Sequence, residues 1–109
     1  MGKFSTKHGQ DGQYYFYLLS TSGQVILVSE GYTTKFAMQN GMGSVKINAL
    51  QDKHFEKSIS NDGKFYFTLK AANGQVIGKS RMYASEAACN NGIESVKSNT
   101  PKARVIEEK

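Results

Sequence analysis

Few side chains in this sequence could do chemistry. The residues best suited to proton transfer near neutral pH are two histidines, His8 and His54. Neither belongs to a His-x-x-x-His or His-Glu-x-x-His spacing, so a metal site finds no support. One cysteine, Cys89, excludes an intramolecular disulfide framework and a cysteine-rich zinc site. The run Asn40-Gly41-Met42-Gly43 superficially resembles a phosphate cradle. It falls inside a predicted helix, however, and not at the N-terminus where an anion would bind. Ser29 stands three residues before Tyr32, and Ser80 three before Tyr83. These pairs read first as a hydroxyl and a phenol fixing a strand-to-helix corner. The alternative is a small-molecule pocket, enzymatic or not.

An internal repeat tests each of these candidates. Asp11-Gly12 recurs as Asp62-Gly63, Gly23-Gln24-Val25-Ile26 as Gly74-Gln75-Val76-Ile77, and Ser44-Val45-Lys46 as Ser95-Val96-Lys97, always 51 residues on (62 − 11 = 51). A pair of active sites would recur as well. Instead His8 stands opposite Ile59, His54 opposite Lys3, and Cys89 opposite Met38. Glu30, Glu86 and Glu94 have no acidic counterpart, and a turn accounts for Asp11 and Asp62. No catalytic residue, cofactor or metal is expected, and the chain reads as a non-enzyme.

With 109 residues the chain suits one compact unit of two interlocked halves, residues 1–51 and 52–109. A half of about fifty residues is marginal alone without a disulfide or metal, so the copies should share one core. The formal net charge of +5 mildly favours polyanionic partners, although no basic run sharpens this. The opening Met1-Gly2-Lys3-Phe4 lacks the apolar h-region of a signal peptide, and no apolar stretch approaches a membrane span. A cytoplasmic protein without a membrane partner is expected.

Each copy begins with a short extended segment, residues 4–7 and 55–59, leading into the Asp-Gly turn. Aromatic-rich strands follow at 14–19 and 65–70, then turns at Ser22-Gly23 and Asn73-Gly74, then strands at 24–29 and 75–79. Thr34 and Ser85 are suited to cap helices of about fourteen residues ending near Asn48 and Asn99. Ala37, Gly41 and Val45 form one apolar stripe, matched by Ala88, Gly92 and Val96, with Met38, Met42, Cys89 and Ile93 widening it. Glycine in mid-helix costs about 1 kcal/mol relative to alanine, so Gly41 and Gly92 imply a close approach by the sheet or the other helix. Residues 52–56 and 104–108 are expected to be extended, giving β-β-β-α-β twice.

The ordered set of Asp-Gly, Gly-Gln-Val-Ile, Ser-x-x-Tyr and Asn-Gly-x-x-Ser-Val-Lys, present twice across essentially the whole chain, resembles the YegP-like tandem-repeat family. That resemblance implies an α+β fold. Its two β-β-β-α-β units form a single, mainly antiparallel sheet, with the C-terminal strands exchanged between repeats and two helices packed on it. It supplies no catalytic or binding residue.

Strand alternation then divides the sheet into faces. Phe65, Phe67 and Leu69 alternate with Tyr66, Thr68 and Lys70, so the first copy should bury Tyr14, Phe16 and Leu18 and turn Tyr15, Tyr17 and Leu19 outward. If Lys79 faces out, strict alternation sends Ile77 with it, and Val28 and Ile26 likewise. The expected binding face is therefore Tyr15, Tyr17, Tyr66, Ile26 and Ile77, ringed by Lys64, Lys70 and Lys79. Such a patch suits a protein partner or self-association. Aromatics among lysines also suit base stacking by single-stranded nucleic acid.

Overall fold

Glycine decides where the hairpins turn. In a computed structural model, which describes residues 2–107, Gly12, Gly23, Gly63 and Gly74 have φ between 82° and 89°. L-residues rarely adopt that region. These turns join β1 (Lys3–His8), β2 (Tyr14–Leu19) and β3 (Val25–Val28) in the first copy. They likewise join β4 (Phe55–Ile59), β5 (Phe65–Lys70) and β6 (Val76–Lys79) in the second. Two helices of fourteen residues follow as expected, α1 (Lys35–Asn48) and α2 (Glu86–Asn99). Thr34 and Ser85 accept from the amides of Ala37 and Ala88 at 3.0 and 3.1 Å, which satisfies otherwise orphaned donors. A last strand, β7 (Arg104–Glu107), completes the described chain; residue 108 lies outside the described residues.

All seven strands form one sheet in the order β4-β5-β6-β3-β2-β1-β7. Every pairing is antiparallel except that of β7 with β1, which is parallel. The exchange of terminal strands is present, with one asymmetry. Strand β7 crosses from the second copy to the outer edge of the first. The matching stretch of the first copy is not extended throughout: Asp52–His54 makes a 3-10 turn, and the chain runs directly into β4 beside β5. There the chain must go on to start the next unit, so one segment ends one copy and begins the other.

Val28 pairs with Lys79 at the centre of the sheet, and these residues are themselves repeat equivalents (79 − 28 = 51). The halves therefore meet about a pseudo-two-fold axis. Beside it Leu27 and Gly78 also correspond, and only one can carry a large side chain. A Cβ on Gly78 would stand 2.7 Å from Leu27 Cγ.

Both helices lie on one face of the sheet. Helix α1 packs on β2 of its own copy and on β6 of the other; α2 packs on β5 and on β3. The result is one core, holding Phe4, Phe16, Leu18, Leu27, Phe67, Leu69 and the helix residues Met38, Val45, Cys89 and Val96, all essentially buried. Phe16 meets Phe4 edge-on at 5.7 Å, and Phe67 meets Phe55 in the same way.

One expectation needs correction. Ile26 and Ile77 do not face outward: each is 5% exposed and belongs to the core. The cause is a β-bulge. Leu18 pairs with Leu27 but Leu19 with Val25, and Leu69 pairs with Gly78 but Lys70 with Val76. The extra residue in each third strand is the isoleucine, which breaks the alternation and turns inward. Val25 and Val76, opposite the outward Leu19 and Lys70, take its place. Gly41 and Gly92 do lie against the sheet, where an added Cβ would stand 3.1 Å from the Phe16 and Phe67 rings, and the phenols of Tyr32 and Tyr83 come nearer still, occupying the space that Cβ would need.

Candidate functional site

Register identifies the side chains that share the face away from the helices, because directly opposed residues lie on the same side. Tyr17 is flanked by Ser5 and Val28, Tyr15 by Lys7, and Leu19 by Lys3 and Val25. In the second copy Tyr66 opposes Ser58, Thr68 lies between Glu56 and Lys79, and Lys70 opposes Val76. Arg104 pairs with Lys3 at the far edge. Among the described side chains of the strands, this face thus carries Lys3, Lys7, Lys70, Lys79 and Arg104 against the one carboxylate of Glu56. Its strands carry more cations than carboxylates, while Asp11 and Glu30 border it from the loops.

Two depressions open on it. One, of 640 Å³, spans the β3–β6 junction and is bordered by Val25, Val28, Glu30, Lys79, Arg81 and Met82. The other, of 530 Å³, lies over the first hairpin between Lys7, His8, Asp11, Tyr15, Tyr17 and Val28. They meet at Val28, so together they form a shallow trough across the first copy and the centre of the sheet.

The expected residues are placed unequally. Tyr15 and Tyr17 line the trough and are half-buried. Tyr66 shares the face, with Lys79 Nζ 4.7 Å above its ring. That cation–π contact keeps a positive charge at the trough's edge. Lys70 is paired with Glu56 at 3.1 Å. Lys64 is exposed in the turn before β5, its amide donating to Ser60 Oγ, and borders neither depression. Ile26 and Ile77 leave the site for the core. Glu30, Arg81 and Met82 enter it; they follow β3 and β6, where alternation says nothing about direction.

Tyr15 donates to Asp11 Oδ2 at 2.5 Å. That hydrogen bond holds the Asp11 carboxyl below its ordinary range, helped by the amide of Gln13, and raises the Tyr15 phenol. His8 stacks flat on Tyr14 at 4.2 Å, and its Nε2 lies 3.3 Å from the Gly12 carbonyl. His54 is on the other side of the molecule's sequence symmetry, with Nδ1 3.0 Å from the Lys70 carbonyl. Among the described residues no three metal-binding side chains cluster. Cys89 is buried within the core, and burial pushes its thiol up.

The serine–tyrosine corners are tied down by backbone bonds, and both serines also border the 640 Å³ depression. Ser29 Oγ accepts from the Phe16 amide and donates to the Glu30 carbonyl, both at 2.8 Å. Ser80 Oγ does the same with Phe67 and Arg81 at 2.9 and 2.7 Å. Tyr32 stacks on Phe16 and Tyr83 on Phe67, closing each corner over its glycine. Burial raises both phenols.

Comparison with known proteins agrees with this architecture. A family model described as a domain of unknown function, DUF1508, matches twice, over residues 10–56 and 60–107. The UPF0339 protein YegP of Escherichia coli K12 is 45% identical over 98 residues, covering 90% of this chain and 89% of that protein. A UPF0339 protein of Pseudomonas aeruginosa is 45% identical over 106 residues, covering 97% and 96%. The solution NMR structure of E. coli yegP superposes with a TM-score of 0.93 at 42% identity, over 98% of this chain and 92% of that one. A UPF0339 protein from Shewanella oneidensis gives 0.91 at 40% identity, over 97% and 90%.

Proposed function

The chain belongs to the UPF0339 family of tandem DUF1508 domains, and from that premise we propose that it is a non-catalytic, cytoplasmic binding module whose ligand lies along the outer sheet face. One observation carries the reading: two depressions join at Val28 beside half-buried Tyr15 and Tyr17, on a face whose described strand side chains include five cations and one carboxylate. A flat, open trough of this kind fits an extended ligand better than a reaction that must exclude water. Both corner hydroxyls bond backbone, and the thiol is in the core.

The charge of the face favours an anionic ligand, and single-stranded nucleic acid is the second reading. Tyr15 and Tyr17 offer rings for stacking, worth about 1–3 kcal/mol per base, and stacking on Tyr66 requires Lys79 to swing aside. Fluorescence anisotropy with short labelled oligonucleotides and acidic peptides tests both readings. Tyr17→Ser combined with Lys79→Glu should weaken the bound ligand at least about tenfold, roughly 1.4 kcal/mol. A nucleic acid should also lose affinity steeply with salt, log K falling by about 0.7 per phosphate contact in log salt. Salt-independent oligonucleotide binding removes the nucleic-acid reading. Binding indifferent to the double variant removes the sheet-face reading itself.

A further inference from the structure

Helix α1 carries an apolar line that its twin does not. Phe36, Asn40, Gly43 and Ile47 follow each other at i, i+4, i+7 and i+11, opposite the buried side of the helix, and Leu50 extends the line past its end. Phe36, Ile47 and Leu50 are 72%, 70% and 65% exposed. The fold does not ask for them. At the same positions of α2, a helix of equal length with an equivalent cap and equivalent packing, stand Ala87, Ser98 and Pro101.

Gly43 makes the difference sharper. A tyrosine explains Gly41, but a Cβ at Gly43 would meet nothing within 4 Å. Its counterpart is Glu94, an ordinary helix residue. The chain therefore accepts about 1 kcal/mol of helix cost with no reason inside the molecule. What the glycine provides is bare backbone at the midpoint of the line, seven residues from Phe36 and seven from Leu50.

We propose that a second copy of this chain docks here, the two α1 helices crossing antiparallel at Gly43 about a two-fold axis. A two-fold contact must be self-complementary, and this line is: Phe36 of each copy falls opposite Leu50 of the other, with glycine at the crossing to let the helix axes approach. Like charges do not stand in the way. Lys46 is turned down the helix flank, its Nζ 6.0 Å over the Phe4 ring. The three apolar side chains present roughly 400 Å² per copy, within the range of the largest patch that a monomer usually leaves in water. That is about half of what one partner buries in a standard interface. The dimer is accordingly weak and concentration-dependent. It leaves both outer sheet faces open on opposite sides, which makes the assembly bivalent toward an extended ligand.

Sedimentation equilibrium from about 10 µM to about 1 mM tests this. The wild-type mass should rise from 12.0 kDa toward twice that value. Phe36→Ala with Ile47→Ser, the residues that α2 already carries at these positions, should keep the monomer mass throughout with an unchanged melting temperature. Under mild oxidation Gly43→Cys should cross-link at least about tenfold faster than Glu94→Cys at the equivalent place on α2. A wild-type monomer at about 1 mM, equal cross-linking rates, or a double variant that still dimerises overturns the proposal. So does a wild-type chain that stays monomeric yet sediments with anionic lipid vesicles, because then the line serves a membrane surface.

Discussion

Gly41 and Gly43 stand two residues apart in one helix and answer to different demands. Gly41, like Gly92, leaves room for a tyrosine ring, whereas Gly43 faces open solvent. Gly92→Ala should therefore lower stability in urea unfolding despite the gain in helix propensity, because the Tyr83 ring must move off its packing on Phe67. Gly43→Ala, measured at low concentration, should raise it by about 0.5–1 kcal/mol. Asp11 and Tyr15 give a pH signature. A lowered Asp11 value means that its contribution is present above the unfolded carboxyl's titration and is lost as pH falls through the folded one. The raised Tyr15 phenol contributes below the unfolded phenol's titration and loses that contribution as pH rises through the folded one. Carboxyl-detected NMR should show Asp11 titrating upward toward the ordinary range in Tyr15→Phe; an unmoved titration contradicts the hydrogen bond. At this scale the sequence was legible where the repeat gave two readings of one position, as for Ser29 and Ser80.

The bulge in β3 and β6 is where strand-level reading failed, and its reason is physical. Alternation assumes one residue per pair, and a bulge adds one, so every side chain before it changes face. The run Ile26-Leu27-Val28 was the available signal, three apolar residues where an alternating strand shows two at most on one side. Ile77→Ala should accordingly cost about 2–4 kcal/mol in chemical denaturation, as for a core residue, and Val76→Ala under about 1. Equal losses contradict the bulge assignment. Helices and caps were readable to the residue, because Thr34 and Ser85 mark both starts by the same physics. Strand β7 was readable as extended but not as parallel: nothing local says which edge a terminal strand will join.

Across the whole molecule, the duplicated sequence becomes a pseudo-two-fold sheet whose helices each cover the other copy's third strand. Neither half can bury its own helix face alone. Fragments 1–51 and 52–109 should show no cooperative unfolding by circular dichroism, in contrast to the intact chain; a folded fragment contradicts the shared core. The site was legible as a face and only partly as a set of residues. The strand tyrosines and lysines followed from alternation, while Glu30, Arg81 and Met82 came from loops that only the three-dimensional path brings to the trough. The central claim is that this face, and not the helix layer, receives the ligand. Amide chemical-shift mapping during titration with single-stranded oligonucleotides and acidic peptides tests it most directly. Tyr15, Tyr17, Val28, Tyr66 and Lys79 should shift together while α1 and α2 stay still; shifts confined to the helices would contradict it.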